Sequence, residues 1–324
     1  LMIRRPPRST LDRSSAASDV YKRQQGIDMS ESAAAVGTST VGGGYATAVK
    51  MLKNKDEFDF NLLFLPGVID QLDDHSTVIG SAIDMCEDRG DVFLVLDNTS
   101  KTSTVSSVKT NAEARNSSFA ATYYPWVQVQ DSRANGALRW VPPSVVLGGV
   151  YAFNDKVAHP WFAPAGLVRG GIPTVLQAER KLTRSERDTL YSSNVNPIAT
   201  FPGQGIAVFG QKTLQKKASA LDRVNVRRLL IDIRRKVRRI ANGIIFEPNR
   251  EATLAKFSGA VQPILTRIQA QQGLDRFKVI IDSTTTTQLD VENNTVRGKI
   301  FLQPTKSVEF ISLDFVVTNT GAEI

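Results

Sequence analysis

Two short apolar runs separated by one amphipathic helix constrain this chain more than anything else in it. Phe60-Asn-Leu-Leu-Phe-Leu65 is mostly apolar and meets Pro66-Gly67, as a buried strand does where it stops. Asp91-Val-Phe-Leu-Val-Leu-Asp97 is a second such run. Between them Val78, Ile79, Ala82, Ile83 and Cys86 recur at helical spacing, with Ser76 or Thr77 available as a cap and Arg89-Gly90 as the stop. Strand, helix and strand over this distance imply a parallel crossover. The expected fold class is therefore α/β, mixed α+β overall: a central mixed sheet with a parallel βαβ unit, flanking helices, and C-terminal strands extending as an arm.

The later elements fit that frame. Tyr123, Tyr124, Trp126, Val127 and Val129 predict a third strand over Phe119 to Val129. Pro142-Pro143-Ser144 opens a helix holding Val145, Val146, Val150 and Tyr151, with Ser144 or the preceding turn as cap. His159 to Pro173 reads as a shaped loop, Thr183-Arg-Ser-Glu186 as a capping box, and Gly205 to Gly210 as one more strand. Val226, Leu229, Leu230, Ile233, Val237, Ile240 and Ala241 mark an amphipathic helix over Asp222 to Ala241. A second helix is expected from Asn249 to Ala270, kinked at Pro263, followed by strands at Arg276 to Asp282, Val296 to Gln303 and Val308 to Val317.

Charge matters here through its location. The chain of 324 residues carries a formal +8. Residues 223–239 hold eight cations against Asp232, net +7, and residues 1–25 hold six cations against two anions, net +4, so the remainder is slightly acidic at −3. Basicity is thus a property of one helix and one leader. With Val226 at 0°, Arg227, Arg234 and Arg238 fall at about 80–120°, and Arg228, Arg235 and Arg239 at about 180–220°. Two arginine ridges result, and an acidic partner would relieve their mutual repulsion. Nucleic acid is the weaker partner class, because no aromatic residues interleave the arginines to stack bases.

Residues that could carry catalysis are few. His75 lies beside Asp73 and Asp74, His159 precedes Pro160, and neither has metal-ligand spacing, so both read as surface or turn histidines and no metal or cofactor is expected. Cys86 sits on an apolar helix face and reads as core; as the only cysteine it excludes an intrachain disulfide. Asp97 ends a parallel strand, where α/β enzymes keep ligand-binding carboxylates, but no partner motif accompanies it. Gly42-Gly43-Gly44 lacks the strand and the Gly-Lys-Ser/Thr ending of a phosphate loop. The longest apolar run, near Leu62 to Ile69, contains Pro66 and Gly67 and falls short of the roughly 18 residues a membrane helix needs. The expectation is a non-enzyme without membrane association.

From about Phe58 onward the chain resembles the conserved C-terminal region of phage contractile tail sheath proteins. The resemblance rests on Phe60-Asn-Leu-Leu-Phe-Leu-Pro-Gly67, Tyr123-Tyr-Pro-Trp-Val127, Trp140-Val-Pro-Pro-Ser144, Pro160-Trp-Phe-Ala-Pro-Ala-Gly166, Asn194-Val-Asn-Pro197, Phe209-Gly-Gln-Lys-Thr213, Asn225-Val-Arg-Arg228 and Phe246-Glu-Pro-Asn249 in shared order. It implies a structural subunit that stacks with copies of itself as hexameric rings around a tail tube and contracts to drive that tube through the host envelope. The baseplate and tail terminator are further partners so implied, and the setting is the virion tail, assembled in the host cytoplasm. Carried onto this chain, the tube-facing helix is Asp222 to Ala241, with Arg227, Arg228, Arg234, Arg235, Arg238 and Arg239 at the tube. The strand arm exchanged with neighbours is placed at Val308, Phe310, Ile311, Leu313, Phe315 and Val317. Residues 1–25 read as an artefactual or disordered leader resembling translated sequencing adapter, 26–56 as the Gly/Ala/Ser-rich remnant of a truncated region, 57–305 as the sheath core domain and 306–324 as the arm. A nucleic-acid-binding module using helix 222–241 is the alternative.

Overall fold

The computed structural model describes residues 43–132, 135–248, 250–281, 285, 293 and 295–309. The leader 1–25, Asn249, and the arm residues Phe310, Ile311, Leu313, Phe315 and Val317 lie outside them. The described chain forms two compact units. One holds the chain up to Pro160 together with Pro164–Arg234; the other holds Trp161–Ala163 and the chain from Arg235 onward. The span 57–305, read above as one domain, is thus divided, and the division falls inside a single helix.

The first unit is built on a five-stranded sheet in the order β1-β2-β3-β7-β8: β1 Leu62–Ile69, β2 Phe93–Asp97, β3 Ala120–Tyr124, β7 Val195–Phe201 and β8 Gly205–Val208. The first four strands run parallel and β8 returns antiparallel beside β7. Every residue of β2 and β3 is buried, as in a sheet covered on both faces. Strand alternation divides their side chains between two cores. Leu94, Leu96, Ala120 and Tyr124 join the core under α2 (Asp73–Arg89) and α3 (Val105–Ala114). Phe93, Val95, Ala121 and Tyr123 join the core under α4 (Pro143–Val157).

Several boundaries differ from the sequence reading, each for a local reason. β1 runs through Pro66-Gly67, with a register shift between Phe64 and Ile69 and Gly67 at φ 84°. It is an edge strand, where a missing N–H is tolerated. Helix α2 starts at Asp73 after Leu72 with no side-chain cap, so Ser76 and Thr77 lie inside it; its end at Gly90, φ 67°, is the left-handed stop expected. The stretch Phe119 to Val129 is two strands in two sheets. β3 ends at the cis Tyr124–Pro125 bond, and β4 (Val127–Asp131) then pairs antiparallel with β5 (Ala137–Val141) and β6 (Val175–Ala178). The capping box at Thr183 and Glu186 is formed, opening α6 (Arg184–Ser192). The expected loop 159–173 contains one helical turn, α5 (Gly166–Arg169).

The stretch 26–56, read as a Gly/Ala/Ser-rich remnant, holds α1 (Gly43–Met51), with Val49 buried. The segment that follows it is held by Arg89, the last residue of α2. Its guanidinium donates to the carbonyls of Leu52, Asn54 and Phe58 and to both carboxylate oxygens of Asp91. Those five bonds match the five donors of the side chain, the condition under which a buried guanidinium is tolerated.

In the second unit α8 (Glu251–Ala270) continues through Pro263 and buries Leu254, Val261, Leu265 and Ile268. The hairpin β9 (Leu274–Ile280) with β10 (Lys299–Pro304) is antiparallel and packs against α8, and Trp161 donates to the Gln271 carbonyl. The expected strands Arg276 to Asp282 and Val296 to Gln303 correspond to β9 and β10; of the third, Val308 is exposed and residues 310–317 lie outside the described residues.

Candidate functional site

The basic helix is α7 (Val224–Asn242), entered through a helical turn at Ala220–Asp222. Its apolar stripe packs from the first turn onward: Val224, Val226, Leu229, Ile231 and Ile233 are buried. This docking rotates the helix so that the two arginine ridges meet different surroundings along their length.

Arg228 does not reach solvent. It is 3% exposed, pairs with Asp155 at 2.6 Å and lies 4.8 Å from the Tyr151 ring centroid. Tyr151 and Tyr123 share a hydroxyl hydrogen bond of 2.7 Å beneath it. Burial pushes the Tyr151 phenol up to about 12, partly offset by the Tyr123 hydrogen bond and the Arg228 charge. Arg227 is half-buried, hydrogen-bonded to the Ser118 hydroxyl and 4.0 Å from the Phe119 ring centroid. Burial, and then repulsion from Arg234, pushes its guanidinium down to about 10, against the pull of Glu87. It remains cationic at neutral pH.

These two positions correct the sequence reading, which put all six arginines on an exterior face. The reason is that α7 begins inside the core, so its first turns have no solvent side wide enough for both ridges. Arg234 is exposed, with one contact to the Gly90 carbonyl at 3.3 Å; Arg239 is exposed, and Arg235 and Arg238 are half-exposed. The basic surface is therefore the C-terminal half of the helix. There Lys236 adds a fifth cation, 5.5 Å from the Trp161 ring.

The residues weighed for chemistry are engaged in structure. Asp97, at the C-terminal end of β2, accepts from the Ser144 N–H at 3.1 Å, the Ser144 hydroxyl at 2.6 Å and the Gly67 N–H. It thereby caps the first turn of α4 from across the core, the role the sequence gave in part to Ser144. Burial raises its pKa to about 6, against the lowering effect of those hydrogen bonds. Cys86 lies in the core, where burial pushes its thiol up to about 12. His75 is buried, contrary to the surface reading: its Nδ1 accepts from the Ile69 N–H at 2.9 Å. Asp70 receives a two-pronged contact from Arg115 at 2.5 and 3.0 Å. Among the described residues no three His, Cys, Asp or Glu side chains gather as metal ligands, and no helix is long and apolar enough to cross a membrane.

The motif Asn194-Val-Asn-Pro197 proves architectural. Asn196 is buried, donates to the carbonyls of Thr122 and Lys212, and accepts from the Lys212 N–H at 2.6 Å, binding β7 to β3 and to the chain after β8.

With this geometry in view, the comparisons decide the family. The profile described as phage tail sheath protein central domain matches residues 40–214, and that of the phage tail sheath C-terminal domain matches 216–318. The chain belongs to the phage tail sheath family. It is 38% identical over 194 residues to the tail sheath protein of Vibrio phage KVP40, and 32% identical over 194 residues to that of Enterobacteria phage T4. Each alignment covers 60% of this chain and 29% of the relative, so the chain spans under a third of the length of these curated relatives. Its fold matches the sheath complex of an extracellular contractile injection system in the contracted state, with TM-score 0.70, 27% identity, and coverage of 83% of this chain and 74% of that one. The contracted helical sheath of the anti-feeding prophage matches with TM-score 0.69 and 25% identity, covering 87% and 76%. Sheath proteins thus share both this sequence and this mixed α/β architecture.

Proposed function

We propose that this chain is the subunit of a contractile tail sheath, polymerising with its own copies as stacked rings around a tail tube and working without a catalytic site. The observation that carries the reading is that two sheath-family profiles match contiguous blocks reaching from residue 40 to residue 318. Likeness to sheaths in the contracted state supports contraction as a shift between two lattice packings, a change that assembled subunits make without hydrolysing a nucleotide. Virion tails are where such a subunit acts, with the baseplate as a second partner in the same assembly.

The tube contact falls to Arg234, Arg235, Arg238 and Arg239, and the exchanged arm to residues 306–324. Arg227 and Arg228 leave the tube-binding set, since reversing their charge would act on the core. The nucleic-acid alternative loses support for the same reason: a phosphate track on α7 would lack the two arginines spent on Ser118, Phe119, Tyr151 and Asp155.

Electron microscopy of the full-length gene product tests the reading, with striated tubes as the expected result. A product that stays monomeric under all conditions, or binds DNA with a steep salt dependence, overturns it. Glutamate at Arg234, Arg238 and Arg239 together is expected to weaken attachment to the tube while leaving the fold intact.

A further inference from the structure

The outer face of α4 has no role in the reading above. Its inner face is core, with Leu147, Val150, Tyr151 and Asn154 buried against the sheet. Its exposed positions are Val145, Gly149, Ala152, Phe153, Lys156 and Val157. At 100° per residue these six span an arc of about 140°. A solvated helix face is dominated by charged and polar side chains; here Lys156 is the single charge and every other position is apolar or glycine. The helical turn α5 packs against α4 and brings Leu167 and Val168. Val145, Phe153, Val157 and Val168 are 46%, 47%, 54% and 83% exposed.

We propose that this face docks on a second copy of the chain, against a surface other than itself, so that copies join head to tail; the proposal rests on the sheath reading. Size and chemistry argue for that occupant. The five large apolar side chains together present on the order of 400 Å², a patch of the size that marks interaction sites on soluble chains. That is about half of what one partner contributes to an interface stable in dilute solution. Such a face cannot hold a dimer alone, yet it adds to assembly where other contacts already keep copies adjacent at high effective concentration. An open helical array also requires heterologous contacts, which a patch without a charge pattern of its own suits. Gly149 lies among the exposed positions of α4, and a Cβ added there meets nothing within 4 Å. This chain's own packing therefore does not require glycine at that position, whereas a neighbour approaching the backbone closely does.

The test uses the full-length gene product in three forms: wild type, Gly149→Leu, and a protein carrying the photo-crosslinking residue p-benzoylphenylalanine in place of Phe153. Leucine at an exposed helix-interior glycine raises helix propensity, so the Gly149→Leu monomer is expected to unfold at the same or higher denaturant concentration. Its yield of tubes, counted by electron microscopy and sedimentation, is expected to fall at least tenfold. Irradiated wild-type-like tubes are expected to give covalent pairs of this chain through position 153. Gly149→Leu tubes at normal yield, or crosslinks confined to the same chain or to a tube protein, overturn the proposal while leaving the sheath reading standing. Absence of tubes from the wild type overturns the sheath reading, and the proposal with it.

Discussion

At the start of α7, Arg228 is enclosed by Asp155 and Tyr151, whereas further along Arg234 and Arg239 stand exposed, although both stretches read as arginine pairs on one amphipathic helix. The difference lies in what the helix is docked against, since the apolar stripe beneath is continuous in sequence. At the buried end the guanidinium joins elements of the core, and at the exposed end it lies at the surface. A net charge summed over the helix conceals this division.

The largest expected effect comes from the buried end. Arg228→Met leaves Asp155 without its partner and is expected to cost about 3 kcal/mol in urea unfolding, toward the lower limit for a broken buried pair because Asp155 is partly exposed. A cost below about 1 kcal/mol would erase the contrast between the two ends.

Asp97 extends the same contrast to an anion, through pH. Its folded pKa of about 6 lies above the ordinary carboxyl value of 3.8, so between those limits the folded state holds a proton that the unfolded state has released. Its contribution to stability is greatest below pH 3.8 and declines as pH rises through 6, by about 3 kcal/mol at 1.36 kcal/mol per unit. The difference between wild type and Asp97→Asn across pH 4 to 7 should follow that slope; a flat difference places the charge elsewhere.

Arg227, between the extremes, should fall between them. Arg227→Met keeps most of the packing on Phe119 and loses the cation–π contact, an expected cost of about 1 kcal/mol in the same unfolding measurement. Smallest of all, Arg234→Gln and Arg239→Gln are expected to shift stability by less than about 0.5 kcal/mol. A larger loss at either position would show that the exposed end also holds the fold together.

Legibility along the sequence followed the strength of local pattern. The βαβ unit was visible because β2 and α2 carry dense apolar spacing, and α6 because Thr183 and Glu186 form a complete box. Helix α3 leaves little trace in the sequence, since only Val108 and Ala112 are buried along it and the residue that completes its Thr104 cap is Ser107 rather than an acid. Strand β7 was hidden by Pro197, which argues against a central strand; Asn196 supplies side-chain bonds that hold it there. The spacing of the six arginines places all of them on α7 but does not show which meet the core.

The sequence by itself determined the fold class, the main helices and the family, because periodicity and ordered motifs are local properties of the chain. Which arginines stay exposed, that Asp97 caps α4, that Arg89 anchors residues 52–58, and that α4 presents an apolar outer face were decided only in the tertiary structure. Each depends on a neighbour brought from more than 30 residues away, and the cost or gain of burying a charge or an apolar side chain is set by that neighbour.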